Sequence, residues 1–312
     1  MNQLYDMDQV LLDDGRIMRV MGTFDSNQYF FGYNVYSPDK NGDRLFRGKR
    51  YRKYLSEALT GEESALGSSE IISISKIVEF FDPIKTAKQD NASFAGTIWH
   101  DLYDALVGVF GSDKVGILGS ALSGLHFNIE GKLKNDVDFF LEGVENISVL
   151  RENMKKVRED IGFCDYEPEV LKVILDECSE VYTNKQNTLS KIIDRRWTGM
   201  ELPGDYPVRN TMRFRDKSLI SPFELLSDDK VIQSNVVIRG VVSGEAGGNL
   251  YPRQFFVSSN GEKRTVYCLW WKISSPVKDG DDVSVCGDLV DVNGVPTLRM
   301  AHFKNHWLHI YN

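Results

Sequence analysis

The spacing of apolar side chains along the chain changes period several times. In the first 60 residues apolar and aromatic positions fall in short runs bounded by turn formers. Residues 16–21 end at a glycine, residues 29–36 are aromatic and β-branched, and Ser37-Pro38-Asp39-Lys40-Asn41-Gly42 is turn material. This predicts a small β module over residues 1–60. Residues 71–81 form a helix or a strand that Asp82-Pro83 stops, and a polar loop covers 88–93. The pattern then becomes helical: Phe94, Ile98, Leu102, Leu106 and Phe110 recur every four residues, with Asn91 or Ser93 as N-cap and Gly111 as terminator. A strand at 115–118 runs into Gly119-Ser120 and a second apolar segment at 121–125. A third element at 137–141 follows a polar loop. Segments 149–161 and 168–190 read as helices with Glu and Lys on their wet faces, and 195–217 is strand-like and rich in turns.

From about residue 230 the period returns to two. Strands are expected at 236–242, 254–258, 264–273, 282–286 and 297–303, with Asn260-Gly261 and Asn293-Gly294 as hairpin signals. Five short strands in so short a stretch suggest a barrel of the oligonucleotide-binding type. The expected class is therefore α+β. It comprises the N-terminal β module, a mixed sheet with flanking helices over residues 61–228, and an OB-like β-barrel over 229–312.

Composition narrows the partners. The chain of 312 residues has a formal charge of −8, with 42% hydrophobic and 26% charged residues, well inside the globular range. Acidity on this scale argues against a coat on duplex nucleic acid, which depends on many basic contacts, and leaves room for a local basic patch. No apolar run approaches the roughly 18 residues that span a bilayer. The N-terminus is acidic where a leader would be basic, so a cytoplasmic protein with no membrane partner is expected. Cys164, Cys178, Cys268 and Cys286 lie too far apart for a CxxC clamp and read as reduced core residues. Composition leaves the oligomeric state open.

The chemistry concentrates in Val115-Gly116-Ile117-Leu118-Gly119-Ser120 and in Asn135-Asp136-Val137-Asp138-Phe139-Phe140-Leu141. In a strand, alternate side chains share a face, so Asp136 and Asp138 point the same way with Cα atoms about 6.6 Å apart. Two carboxylates that close repel by roughly 3 kcal/mol at an effective dielectric near 20, which invites a divalent cation between them. Mg2+ suits such a pair, with Mn2+ as a substitute, because it takes a few carboxylates and completes its shell with water and phosphate oxygens. A glycine-serine turn opening a helix lets backbone N–H groups and a hydroxyl approach a phosphate.

This Gly-Ser turn with a spaced Asp-x-Asp resembles the DNA polymerase beta-type nucleotidyltransferase superfamily. Three further segments look like a family of predicted nucleotidyltransferases found widely in archaea: Arg47-Gly48-Lys49-Arg50-Tyr51-Arg52-Lys53, Gly119-Ser120-Ala121-Leu122-Ser123-Gly124-Leu125-His126, and Leu250-Tyr251-Pro252. The resemblance implies Mg2+-dependent transfer of a nucleoside monophosphate from a nucleoside triphosphate to a hydroxyl. Gly119 and Ser120 would contact the triphosphate, and Asp136 and Asp138 would bind metal. A third carboxylate is expected on a later strand. Asp216 is the candidate, with a solvated turn aspartate as the competing reading, and Asp194 is a lesser one.

The run at 47–53 holds five basic residues in seven. Lys49, Arg50 and Arg52 either grip triphosphate or nucleic-acid backbone, or guard a sheet edge. His126, without a ligand partner in sequence, stays unassigned. Tyr251, Phe255, Phe256, Tyr267, Trp270 and Trp271 make the barrel aromatic, and adjacent Trp270 and Trp271 must point to opposite faces of a strand. A nucleic-acid 3′ end such as that of tRNA is the favoured acceptor, with RNA or single-stranded nucleic acid as partner, and a protein hydroxyl is next. The alternative from another class is a protein that binds nucleotide or single strands without turnover.

Overall fold

The computed structural model describes residues 3–24, 28–53, 70–89, 97–132, 138–181, 186–195, 197–202, 208–217, 225, 230–269, 276–302 and 304–311. They group into two compact units. The described residues of Met1–Ser56, Ser69–Tyr166 and Trp197–Lys217 form the first, and those of Glu167–Arg196 and Ser218–Asn312 form the second. The fold class is α+β. Sheet pairing joins residues 70–81 to the N-terminal strands, and core packing joins the helices after residue 167 to the barrel.

The first unit contains two sheets. β1 (Gln9–Leu12), β2 (Ile17–Val20), β3 (Tyr29–Pro38), β4 (Arg44–Phe46), β5 (Lys49–Lys53), β6 (Glu70–Ser73) and β7 (Ile77–Phe81) make an antiparallel sheet in the order β4-β5-β3-β2-β1-β7, with β6 also on β3. Residues 71–81 are thus two strands around a 3-10 turn, and α1 (Pro83–Gln89) follows where the sequence suggested only a stop. Phe46 pairs with Lys49 across a two-residue loop, and Arg47 and Gly48 have φ of 50° and 78°. Positive φ at both positions is the hairpin turn whose twist suits antiparallel strands, so part of the basic run serves turn geometry.

The second sheet is mixed. Along the chain come α2 (Ile98–Phe110), β8 (Val115–Ile117), α3 (Gly119–Leu122), β9 (Phe139–Glu142), α4 (Asn146–Asp160), β10 (Gly199–Leu202) and β11 (Val208–Arg215), and the strand order is β10-β11-β9-β8. β9 lies in the middle, antiparallel to β8 and parallel to β11, and all four of its residues are buried. On one face Tyr103 of α2 stacks on Phe139, and α4 buries Ile147, Leu150, Met154 and Val157 at helical spacing. The period-four expectation for α2 holds from Ile98. Gly111 closes it with φ 82° and an N–H bond to the Val107 carbonyl. On the other face the Phe140 ring covers Gly116, where any Cβ would collide with it, and packs with Met7, Leu118 and Ile84.

Charge joins the first strand to this sheet. Arg215 at the end of β11 places Nη1 2.6 Å from Asp8 Oδ1 and Nη2 2.8 Å from Glu142 Oε2. Its guanidinium lies over the rings of Phe140 and Tyr5, 4.4 and 5.3 Å from their centroids. Burial pushes the Asp8 carboxyl up to about 7, and Arg215 opposes that rise without cancelling it.

In the second unit α5 (Pro168–Val181) and α6 (Gln186–Asp194) replace the single helical segment expected over 168–190. Then follow β12 (Val231–Ser243), β13 (Arg253–Ser259), β14 (Glu262–Cys268), β15 (Asp282–Val292), β16 (Val295–Met300) and β17 (Trp307–Ile310). The order β12-β13-β14-β16-β15 returns to β12, closing a five-strand barrel, with β17 added on β15. β14 and β16 are its parallel pair. Both Asn-Gly signals are two-residue turns with positive φ at each position. β15 is twice as long as expected because it is buried on both faces as far as Gly287, so no alternation marks it. Gly287 is required, since a Cβ there would stand 2.5 Å from the Arg299 carbonyl oxygen. Cys178, Leu189, Ile192 and Ile193 of the helices share the barrel core with Phe255, Val266, Val285 and Leu308. Cys268 and Cys286 are buried too, and none of the four cysteines is in a disulfide. No helix among the described residues is long and apolar enough to cross a membrane.

Removing Arg215 strands Asp8, which is 1% exposed, without its counter-charge. Arg215→Met should destabilise the first unit by about 3–5 kcal/mol in urea titrations, as breaking a buried ion pair does. A loss under 1 kcal/mol would show that the cluster does not hold the strand.

Candidate functional site

Pairing of β8 with β9 ends at Ile117 and Phe139, and one step further the Leu118 N–H donates to the Asp138 carbonyl at 2.8 Å. The chain then turns away through Gly119, whose φ of 62° favours glycine. A Cβ on Gly119 would stand 3.5 Å from Asp138 Oδ2, so this carboxylate lies against the glycine turn. Asp138 is half-buried, and its carboxylate accepts no hydrogen bond among the described residues. Ser120, in the first turn of α3, is buried. The structure thus brings Gly119, Ser120 and Asp138 together. Asp136 lies outside the described residues.

Two neighbours escaped the sequence reading. Gln9 Nε2 donates to the Gly119 carbonyl at 2.9 Å, and its own carbonyl oxygen is buried without a partner. Arg19 is paired with Gln9 in the β1–β2 register and donates to the Tyr33 hydroxyl at 3.3 Å. Burial would lower the Arg19 guanidinium, but Tyr33 and the carboxylates of Asp6 and Asp138 outweigh it and raise it. The only signal in sequence was an arginine among the apolar residues of Ile17-Met18-Arg19-Val20.

The other sequence candidates fall elsewhere. Met212 pairs with Phe139, which sets Thr211 level with Asp138, whereas Asp216 follows the Arg215–Glu142 pair. Five residues of strand separate the two levels, about 16 Å, so Asp216 does not join the site. The spacing in sequence carries no register, and the register decides. Asp194 belongs to α6 of the second unit, where it accepts a bond from the Ser190 hydroxyl at 3.3 Å. On β5, Lys53 pairs with Tyr36, three residues along β3 from Tyr33, and Arg52, Arg50 and Lys49 lie successively further away. Arg52 meets Asp39 at 3.2 Å, and Arg47 is ion-paired with Glu79. His126 is buried beside Phe127.

In the second unit the outer face of β13 and β14 carries the paired residues Gln254–Tyr267, Phe256–Thr265 and Ser258–Lys263, with Lys263 Nζ 4.1 Å from the Phe256 ring centre. Phe255 and Tyr251 are buried, and Trp270 and Trp271 lie outside the described residues.

Asp288, His302 and His306 bring three metal-type ligand atoms within 4.8 Å of one another. Hydrogen bonding disfavours a cation there. His306 Nδ1 accepts the N–H groups of Ala301 and His302 at 2.8 and 3.1 Å, so the ring proton belongs on Nε2, which faces Asp288 Oδ1 at 3.3 Å. Arg299 holds the other Asp288 oxygen at 2.9 Å. The group is a neutral histidine braced by a carboxylate–guanidinium pair. Burial, opposed by Asp288, lowers His306 to about 4.

Because the folded value lies below the ordinary one near 6.5, the unfolded chain binds the extra proton between these values. The stability this group supplies is complete above about 6.5 and is lost as pH falls toward 4. The advantage of the wild type over His306→Gln in the unfolding of the second unit should therefore shrink across that window, followed by circular dichroism. A difference that stays constant with pH would reject the neutral, buried imidazole. Compared with known proteins, the chain matches no protein-family model, no curated protein and no solved structure.

Proposed function

We propose that the first unit is a nucleotidyltransferase that moves a nucleoside monophosphate from a nucleoside triphosphate to a hydroxyl acceptor. The observation that carries this reading is the half-buried Asp138 carboxylate, accepting no hydrogen bond among the described residues, against the left-handed turn at Gly119. A partly desolvated carboxylate without a donor is suited to a cation. Asp138, with Asp136 two residues before it, would hold Mg2+ or Mn2+, which when bound draws negative charge from phosphate oxygens.

The chain's own residues position the substrate. Gly119 leaves open the space beside Asp138 that a side chain would fill, and Ser120 follows it in the first turn of α3. Gln9 pins the Gly119 carbonyl and so fixes the turn. Arg19 adds a positive charge within electrostatic reach of Asp138. The succession helix, strand, glycine turn, carboxylate-bearing strand, helix, strand supports the same reading. A half-buried Phe256 beside the Lys263 ammonium on the barrel is the feature of the second unit that fits a single-stranded nucleic-acid 3′ end as acceptor. A protein hydroxyl is the second acceptor.

One observation favours a different reading, nucleotide binding without transfer. Thr211 stands level with Asp138 where a third acid would complete a catalytic set.

Purified protein incubated with each α-labelled triphosphate, Mg2+, total RNA and lysate should pass label to RNA, and Asp138→Asn should abolish transfer. Label on protein identifies the second acceptor, and retention of nucleotide with no transfer selects the binding-only reading. Gly119→Ala, strained by about 1–2 kcal/mol in this backbone region, should lower transfer while leaving the second unit's melting unchanged. Equal transfer by Asp138→Asn and the parent would overturn the assignment.

A further inference from the structure

The first unit holds a pocket of about 640 Å³ whose lining includes neither Gly119, Ser120 nor Asp138. Tyr5, Phe80 and Ile84 give it an apolar wall, and Arg215, Lys217, Lys85 and Lys88 line it with four cations. The volume lies in the range of small-molecule sites. Arg215 and Lys217 are already matched within the protein, Arg215 by Asp8 and Glu142 and Lys217 by Glu142 at 2.6 Å. Asp82 also lines the pocket, but its Oδ1 is engaged by the N–H groups of Ile84 and Lys85 at 2.9 and 3.0 Å, where it caps α1.

Lys85 and Lys88 remain. They stand three residues apart on α1, are exposed, and their ammonium groups make no ion pair or hydrogen bond among the described residues. Like charges at this spacing weaken a helix by roughly 0.2–0.5 kcal/mol, and α1 has no acid in its first turn to offset them. Arg215 lines the pocket with 4% of its side chain exposed. Two ammonium groups with no ion pair among the described residues, together with the Arg215 and Lys217 cations, suit the pocket to a multiply charged oxyanion, and the aromatic wall accommodates the body that carries it.

We propose that this pocket binds a small phosphate-bearing molecule, independently of the Gly119–Asp138 site. Lys85 and Lys88 meet the phosphate oxygens, and Tyr5 and Phe80 face the rest of the ligand. Asp8 also lines the pocket, and its carboxylate is engaged by Arg215 at 2.6 Å.

Titration calorimetry with inorganic pyrophosphate and with adenosine 5′-monophosphate tests this on the full chain. EDTA is present so that metal-dependent binding elsewhere is silent. Binding of at least one probe is expected, at least tenfold weaker in Lys85→Ala/Lys88→Ala and unchanged in Asp138→Asn. Both lysine side chains are solvent-exposed and make no bond among the described residues, so the double variant should melt as the parent does, and the comparison reads affinity alone. No heat from either probe at millimolar concentration, equal affinity in the double variant, or a loss confined to Asp138→Asn would each overturn the proposal.

Discussion

A single guanidinium shared by two carboxylates organises the first unit. Arg215 comes from the last of its strands, Asp8 from the segment before the first, and Glu142 from the end of the central strand. Three distant parts of the chain therefore meet at one charge, and all three are buried. Desolvation of such a group is costly, so it is a weak source of stability, but it tolerates few alternative arrangements. Fixing Asp8 also fixes Gln9, the next residue, whose side chain holds the Gly119 carbonyl. The glycine turn and the carboxylate beside it thus inherit their geometry from contacts with the first strand, more than 100 residues earlier.

Much of this was legible in sequence where the signal is local. The glycine turn at 119, the helix ending at Gly111 and both Asn-Gly hairpins follow from residue types at fixed offsets, and they are found at those offsets. The closed barrel was legible from the number and spacing of its strands. What escaped was set by pairing. Asp216 has the right chemistry and the wrong register, because nothing within a strand states which residue of its neighbour it faces. Helices α5 and α6 read as part of the central segment, yet their apolar faces complete the barrel core, a choice made by packing partners that periodicity does not name. Gln9 and Arg19 carried no motif, since their relation to Gly119 and Asp138 exists only after β1 and β2 pair.

The basic run illustrates how one sequence feature can divide among several tasks. Arg47 and Gly48 form a tight turn, Arg47 and Arg52 are ion-paired, and Tyr51 turns inward from the middle of β5. Five charges that look like one patch in a line of text are distributed by the pleat and by their partners. The two pocket-lining lysines of α1 carry no signal in the sequence, because two lysines in a short polar segment are ordinary until a concave wall is built around them.

The two β-architectures differ in a way that bears on how each tolerates error. In the barrel, β15 is flanked by β12, β16 and β17, and β12 meets both β13 and β15, so each strand of the ring has its alignment set from two sides. A shift by one residue anywhere would have to be absorbed all the way round, and it would also turn the core side chains of that strand outward. The seven-stranded sheet ends at β4 and β7, where among the described residues β4 adds only an isolated bridge from Arg44 to Asn128 and a misaligned strand disturbs one neighbour in the sheet. Insertions and sequence drift should therefore collect at those borders, while the ring changes only by exchanging one side chain for another of similar volume.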